Sequence, residues 1–229
     1  MGSGLYAHVV EELGQAIVDG TMPTGQVVYA EQLVEQLGVS RSVVREGLRA
    51  LGSMGLIEAR PQVGTRVLPP DRWDLLNPQV VTWRAQSNAS DHQMRELLEF
   101  RHGIEPTSAA LAAERMSDAD RDSLLAAGND MQAAMEAGDW RTFFNADAQY
   151  HRLVLQGSGN AIIAQFADTV QAALHSRGQD SQPWNNELNA LSVQRHLDLA
   201  HAVCEHNPAD AERYARLIIE ETLRVYTAH

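Results

Sequence analysis

Residues 38–48 read Gly-Val-Ser-Arg-Ser-Val-Val-Arg-Glu-Gly-Leu, and this stretch joins two short helical patterns through a tight turn. Gly38 suits the C-terminal cap of a helix over about residues 30–37, because glycine adopts the left-handed conformation without strain. Ser40 suits the N-terminal cap of a second helix that reaches about Met54. Two short helices joined in this way predict a helix-turn-helix.

The second helix of this pair has a basic row beside an apolar row. The basic row is Arg41, Arg45 and Arg49, and the apolar row is Val44, Leu48 and Leu51. A recognition helix has this form, since its N-terminal residues enter the major groove and its arginines grip guanine edges or phosphates. Ser40 and Ser42 can donate hydrogen bonds to phosphates. The alternative is an ordinary amphipathic helix with a solvated arginine face.

The flanking residues complete a winged helix-turn-helix, which consists of three helices and a β-hairpin. Apolar residues at i+4 spacing predict a first helix over residues 5–20. Beyond Gly55, residues 56–58 and 65–68 have the pattern of short strands, and a turn from Pro61 to Gly64 joins them. That hairpin is the predicted wing.

The distribution of charge supports DNA binding better than its total does. The chain has 229 residues and a formal net charge of −12, which taken alone argues against nucleic-acid binding. It has no lysine, and between Ser40 and Arg66 five arginines accompany only two acids. A local basic face is enough to bind phosphates, because salt screens charges beyond about 10 Å at 0.1 M. These arginines could equally be a solvated surface, so the turn and the wing carry the prediction.

The rest of the chain divides into a linker and a helical domain. Pro69-Pro70 ends the DNA-binding domain, predicted over residues 1–70, and a linker is predicted over 71–90. The linker has four apolar side chains that can cover a domain or subunit junction, or dock on the second domain: Trp73, Leu76, Val80 and Trp83.

Residues 91–229 have the pattern of six or seven helices, without a strand pattern. We expect the first of them to break near Pro106, and one helix to span residues 159–177. The predicted fold class is therefore mainly α, and a bundle of this size commonly holds a ligand between facing helices.

Asp147 and His151 are the strongest candidates for metal binding. At i and i+4 they share one helix face, so a carboxylate and an imidazole can converge on one ion. His196 lies on a later helix. On most helices this spacing gives a solvated ion pair between the two side chains, so the spacing alone is weak evidence for a metal.

Arg101 is the candidate to hold the carboxylate of an effector. It lies on the first helix of the bundle, and a guanidinium pairs with a carboxylate in bidentate fashion. An ion pair with Glu105, four residues further on, is the alternative, and the two roles are compatible.

The N-terminal part resembles the GntR family of bacterial regulators over nearly all of residues 5–68. The similar segments are Gly38–Leu48, Leu51, Gly55–Ile57 and Gly64–Val67. The resemblance implies that Ser40, Arg41 and Arg45 contact DNA and that Gly64 lies at the wing tip, near the minor groove. Glu31 departs from the pattern, since many members have an arginine there. We expect the phosphate contact of that arginine to be lost in this chain.

The remainder resembles the FCD effector domain of the FadR-type subgroup, over about residues 92–225. The similar residues are Leu97–Arg101, Glu105-Pro106, Ala112–Arg115, Asn145–Asp147, His151, Gln156 and Arg195-His196. The resemblance implies a divalent metal (Zn, Mn or Ni) on an aspartate and three histidines, beside a carboxylate effector. Asp147, His151 and His196 match three of these ligands.

The fourth ligand is expected where this chain has Ile218, so the predicted site is incomplete. Water or the effector's own oxygens would complete it. His201 is turned off the face of His196, whereas His175 could approach from another helix.

These observations predict a cytoplasmic transcription regulator that binds double-stranded operator DNA, and the resemblance implies that it does so as a homodimer. We expect a repressor that a small carboxylate releases from DNA. A sugar acid is the first candidate, because the linker resembles that of a family member which represses a sugar-acid operon. One alternative is a metal-dependent enzyme that uses Asp147, His151 and His196, and another is a helical interaction protein. We expect neither enzymatic activity nor a membrane span.

Overall fold

The computed structural model describes residues 2–60, 64–177 and 186–227, and it divides into two units, Met1–Asn88 and Ala89–His229. Helices dominate both units. The only sheet in the described part is small and belongs to the first unit. The mainly α fold class, with a winged helix-turn-helix before a helical domain, is confirmed.

The first unit is the winged helix-turn-helix. Its elements are α1 (Gly2–Val18), β1 (Val27–Val28), α2 (Ala30–Leu37), α3 (Arg41–Ser53), β2 (Ile57–Arg60), β3 (Gly64–Val67) and α4 (Pro78–Ala85). The strand order is β1-β3-β2 with antiparallel pairing, and Glu58 lies opposite Arg66. The predicted hairpin is confirmed and gains a third strand, β1. Residues 61–63, in the predicted wing turn, lie outside the described residues.

The turn between α2 and α3 forms as its residues predict. Gly38 has φ +63° and its N–H donates to the Val34 carbonyl, which ends α2. The Ser40 hydroxyl accepts a hydrogen bond from the Val43 N–H at 3.4 Å and caps α3. Val44 and Leu51 are fully buried, so α3 is fixed on the core while its arginine row faces solvent.

The segment predicted as a linker contains α4, which packs on α1 in the first unit. Asn77 caps α4 by accepting from the Gln79 N–H, and Pro78 occupies its first turn. Trp83 is fully buried in the core of this unit and is not an exposed docking surface, contrary to the prediction. A Cβ on Gly14 would lie 2.3 Å from Trp83 Cη2, so only glycine lets the indole ring approach α1 so closely.

The second unit is a bundle of seven helices within the described residues. They are α5 (Ser90–Arg115), α6 (Asp118–Ala137), α7 (Trp140–Gly157), α8 (Ala161–Ala164), α9 (Ala167–Arg177), α10 (Asn186–Cys204) and α11 (Pro208–Thr227). Helix α5 packs on α7 and α11, and α6 packs on α7 and α10. None of the described helices has the length and apolar character needed to cross a membrane.

Two predictions about helix boundaries in the bundle are wrong. Helix α5 does not break at Pro106, which lies buried inside it, because losing one backbone hydrogen bond does not end a helix that packs along its length. The single helix predicted over residues 159–177 is two helices, α8 and α9. The chain turns between them at Phe166, whose ring meets that of Phe100 edge to face at 5.1 Å.

Candidate functional site

Asp147, His151 and His196 meet inside the bundle. Asp147 and His151 lie one turn apart on α7, and His196 comes from α10, which packs on the same core. Asp147 Oδ1 is 3.5 Å from His151 Nε2 and 3.3 Å from His196 Nε2, and the two Nε2 atoms are 3.3 Å apart. Three side-chain atoms of ligand chemistry therefore form a nearly equilateral triangle. All three residues are buried.

The dimensions of this triangle fit one divalent metal ion. Zinc bonds of about 2.0–2.1 Å in tetrahedral geometry separate neighbouring ligand atoms by about 3.4 Å. The three measured separations, 3.3, 3.3 and 3.5 Å, agree with that value. Among the described residues, no other cluster of histidine, cysteine or acidic side chains has suitable geometry. His175 and His201 are exposed and take no part in the cluster.

Each histidine has a partner that directs Nε2 toward the triangle. His151 Nδ1 lies 2.6 Å from Glu105 Oε2, and His196 Nδ1 lies 2.7 Å from the Ser192 carbonyl oxygen. Both partners accept a hydrogen bond from Nδ1–H, so Nδ1 keeps the proton and the Nε2 lone pair is left for a metal. The Tyr150 hydroxyl donates to the His196 carbonyl at 2.7 Å and ties α7 to α10.

Arg101 and Glu105 form a buried ion pair on α5, beside this triangle. Arg101 Nε donates to Glu105 Oε1 at 2.6 Å, and the two side chains are 4% and 2% exposed. Burial raises the pKa of Glu105, but Arg101 and His151 outweigh burial and hold the pKa at about 2. The ion pair with Glu105, given above as an alternative role for Arg101, is therefore present. Through Glu105 it connects Arg101, the candidate effector-binding residue, to His151, a candidate metal ligand.

The charges around the triangle favour a cation. Burial raises the pKa of Asp147, but hydrogen bonds from His151 and His196 outweigh burial and hold it well below its usual value. Burial lowers the pKa of His151, but Glu105 and Asp147 outweigh burial and raise it. Without a metal, the two carboxylates Glu105 and Asp147 thus favour the protonated form of His151. Metal binding displaces that proton, so we expect metal affinity to fall as the pH falls.

No fourth protein ligand approaches the triangle within the described part of the chain. Ile218 is 5% exposed and lies in the hydrophobic core of the bundle. The nearby acids are engaged elsewhere, since Glu220 lies 3.4 Å from His102 and Glu221 lies 3.4 Å from Arg195. A metal held here would keep coordination positions open for water or a ligand.

The candidate DNA contacts lie on the exposed side of α3. Arg41, Arg45 and Arg49 are all exposed, as the spacing predicted. Arg49 Nη1 is 3.2 Å from Glu46 Oε1, an exposed pair, whereas no such pair involves Arg41 or Arg45 among the described residues. The Ser40 and Ser42 hydroxyls lie 2.9 Å apart at the N-terminus of α3, where both are exposed.

A groove of about 570 Å³ runs between α2, α3 and the strands of the wing. Glu31, Arg45 and Arg49 line it, together with Thr65 on β3, so an acid shares the surface with two of the candidate DNA contacts. Gly64 begins β3 with φ +106°, and a Cβ there would lie 2.9 Å from Val27 Cγ1. Glycine is thus needed where the wing strand passes β1, whether or not Gly64 contacts DNA.

Sequence reasoning missed two partners of this site. It considered Glu105 only as a partner of Arg101, and it did not consider Ser192. The i, i+4 spacing of Arg101 and Glu105 signals their own pair, but the approach of Glu105 to His151 depends on the packing of α5 against α7. The Ser192 contact uses a backbone carbonyl, which no residue type reveals.

Two protein families match this chain. The family described as "Bacterial regulatory proteins, gntR family" matches residues 5–67, and the FCD domain matches residues 96–221. The galactonate operon transcriptional repressor of Escherichia coli is 31% identical over 213 residues, covering 92% of this chain and 91% of the repressor. The Glc operon transcriptional activator of E. coli is 28% identical, covering 91% of this chain and 83% of the activator.

Two solved structures illustrate the shared fold. The structure titled "Lar controls the expression of the Listeria monocytogenes agr system and mediates virulence" has a TM-score of 0.63 at 15% identity, covering 97% of this chain and 96% of that one. The structure of E. coli McbR/YncC has a TM-score of 0.57 at 20% identity, covering 98% and 97%. At these identities the likeness extends to the fold alone.

Proposed function

From its membership of the GntR family of bacterial regulatory proteins, with an FCD domain, we propose that this chain changes its affinity for DNA in response to an effector. The effector is a small carboxylate that binds beside a metal ion. The families and relatives that match are transcription regulators, so DNA-binding regulation is the function and the chain is not an enzyme. What we propose beyond this is that the chain binds a metal and an effector, represses transcription and forms a dimer.

The observation that supports the metal is the triangle of Asp147 Oδ1, His151 Nε2 and His196 Nε2, with sides of 3.3–3.5 Å. A buried set of one carboxylate and two imidazoles suits Zn, Mn or Ni. Both histidines are oriented by hydrogen bonds from Nδ1, the nitrogen that faces away from the triangle. With three protein ligands, the metal would polarise or coordinate oxygens of a bound acid as a Lewis acid.

Arg101 and the names of the relatives support a carboxylate effector. Arg101 is 3% exposed; burial lowers its pKa, but Glu105 and, more weakly, Asp147 outweigh burial and raise it. A guanidinium beside an open metal position suits an acid with neighbouring oxygens. Because the E. coli relative represses the galactonate operon, a sugar acid is the first candidate and repression the first direction to test.

Operator recognition would use the exposed end of α3. In a homodimer, two copies of α3 would read half-sites one helical turn apart, with Ser40, Arg41, Ser42 and Arg45 nearest the bases and phosphates. We place Arg49 at the margin, since it shares charge with Glu46. Gly64, at the start of the wing strand, would lie near the minor groove. An effector that favours one arrangement of the domains would change DNA affinity by its differential binding.

Metal removal tests the proposed site directly. We expect protein purified without chelator to contain Zn, Mn or Ni, and dialysis against EDTA to lower its melting temperature. The reason is linkage, since a ligand present at 100 times its Kd stabilises the folded state by about 2.7 kcal/mol. Elemental analysis and thermal scans, before and after adding each metal back, measure both effects. Protein without metal, whose melting temperature no added metal changes, would refute the metal site.

Arg101→Ala is expected to abolish the effector response while leaving operator affinity in the absence of effector within about threefold. The variant lacks the guanidinium and therefore its bidentate hydrogen bonds to the carboxylate of the effector, an interaction of roughly 1.5–3 kcal/mol. The measurement is operator binding against increasing sugar acid. Arg95→Ala is the matched control, because Arg95 is exposed on the same helix. If Arg101→Ala weakens DNA binding as much as the response, the residue has a structural role instead.

Glu31→Arg is expected to tighten binding to both operator and random DNA. Glu31 lines the groove beside Arg45, where its carboxylate repels phosphate and an arginine would attract it. One added phosphate contact steepens the dependence of log K on log salt by about 0.9. Titrations at several salt concentrations measure the slope, and Glu12→Arg on α1 controls for net charge. Equal slopes for both variants would show that Glu31 lies away from the DNA.

A further inference from the structure

We propose that Glu105 is a positioning residue of the metal site, one that fixes the ring nitrogen with which His151 faces the metal. The inference rests on the metal of the proposed function and adds to it a residue outside the ligand set. Glu105 lies on α5, whereas the ligands lie on α7 and α10. It is 1% exposed, so its contacts are with protein.

Both oxygens of Glu105 accept hydrogen bonds from buried side chains. Oε1 accepts from Arg101 Nε at 2.6 Å, and Oε2 lies 2.6 Å from His151 Nδ1. Arg101 Nη2 adds a longer contact to Oε2 at 3.4 Å. The guanidinium therefore fixes the carboxylate in place from one side, and the carboxylate fixes the imidazole from the other. None of the three side chains faces water, because all three are buried.

The contact with Glu105 determines which tautomer of His151 is stable. An ionised carboxylate only accepts hydrogen bonds, so Nδ1 must bear the proton. The lone pair is then on Nε2, which is the atom that faces Asp147 and His196. His196 obtains the same orientation from the Ser192 backbone carbonyl. Of the two histidine ligands, only His151 owes its tautomer to a side chain that substitution can change.

Glutamine at position 105 cannot serve both donors. It has one acceptor oxygen and one NH₂ group, and Arg101 Nε and His151 Nδ1 each require an acceptor. If the oxygen stays with the buried arginine, the NH₂ group faces His151 and favours the tautomer with the proton on Nε2. That tautomer has no lone pair for the metal. The side chain keeps its size, so packing changes little while metal affinity falls.

The test compares Zn²⁺ affinity of the full-length wild type, Glu105→Gln and Glu99→Gln by competition with a chromogenic chelator. Glu99 is exposed on the same helix, which makes it a matched control for the change in charge. Partners behind metal-ligating histidines typically contribute 10–100-fold to metal affinity, so we expect about that loss for Glu105→Gln and none for Glu99→Gln. The absorption spectrum of the Co²⁺ form should also change for Glu105→Gln, since the ligand field depends on His151.

The outcomes separate this inference from the function on which it rests. If the wild type binds Zn²⁺ and Glu105→Gln binds it equally tightly, with an unchanged Co²⁺ spectrum, Glu105 does not position His151. If the wild type itself binds no Zn²⁺, the metal of the proposed function fails first. Should Glu105→Gln not fold, Glu105→Asp replaces it, since aspartate keeps the charge beside Arg101 but ends one methylene short of His151. Wild-type affinity in Glu105→Asp would equally overturn the proposal.

Discussion

Substituting His196 with alanine is expected to lower Zn²⁺ affinity by more than about 100-fold, since even a partner behind a ligand contributes 10–100-fold. His196 Nε2 forms one corner of the triangle, 3.3 Å from both Asp147 Oδ1 and His151 Nε2. No other described histidine is placed to substitute for it. With only two ligands left, the ion would lose its stabilising effect on the fold. Calorimetric titration of metal-free protein measures the affinity, and thermal scans with and without Zn²⁺ measure the stabilisation.

His201→Ala is the matched control for this prediction. His201 lies on the same helix, α10, but is exposed and outside the cluster, so this variant should bind Zn²⁺ like the wild type. His196→Ala also removes a buried ring, so some loss of stability is expected in metal-free protein as well. The informative quantity is therefore the gain in melting temperature on adding metal. An equal gain in His196→Ala and wild type would mean that Zn²⁺ binds elsewhere.

Arg45→Ala is expected to weaken operator binding by roughly 5- to 150-fold, which corresponds to the 1–3 kcal/mol of a bidentate arginine–guanine contact. Arg45 is exposed on α3, one turn from its N-terminus, and lines the groove beside the wing. If Arg45 reads a base, the loss is large on the operator and small on random DNA. If it holds a phosphate, the loss is similar on both. Anisotropy titrations on the two DNAs measure the difference.

Arg49→Ala provides the internal comparison. Arg49 belongs to the same row but lies a turn further along α3 and pairs with Glu46 at 3.2 Å. We therefore expect a smaller loss than for Arg45, of a few-fold at most. The substitution is the same, the helix is the same and both side chains are exposed. If Arg49→Ala weakens operator binding more than Arg45→Ala does, the N-terminal end of the recognition helix is not the part nearest the DNA.

The parts of this protein that could be predicted from the sequence are those that local chemistry specifies. Gly38 and Ser40 end one helix and begin the next through their own backbone and hydroxyl contacts, so the helix-turn-helix was predictable. Asp147 and His151 were predictable as a pair, because helical spacing alone places them on one face. Helix α4 was overlooked although Asn77 and Pro78 signal its start, because eight residues give too short a periodic pattern.

What escaped prediction depends on helices packing against one another. The contact between Glu105 and His151 requires α5 to lie on α7 in one particular register, and no spacing along either helix encodes that register. Trp83 shows the same limit in the first unit, since its burial on α1 depends on the absent side chain of Gly14. His196 was assigned through family resemblance, and geometry places it beside the pair on α7.

The most direct test is fluorescence anisotropy on a labelled fragment of the DNA upstream of the protein's own gene. The protein is titrated at several salt concentrations, with and without Zn²⁺ and a panel of sugar acids and small carboxylates. We expect binding that is far tighter than to random DNA and that one acid reverses only when metal is present. Operator binding that no carboxylate changes would refute effector control at the Asp147, His151 and His196 site. Binding no tighter than to random DNA would show that this fragment has no operator for the winged helix.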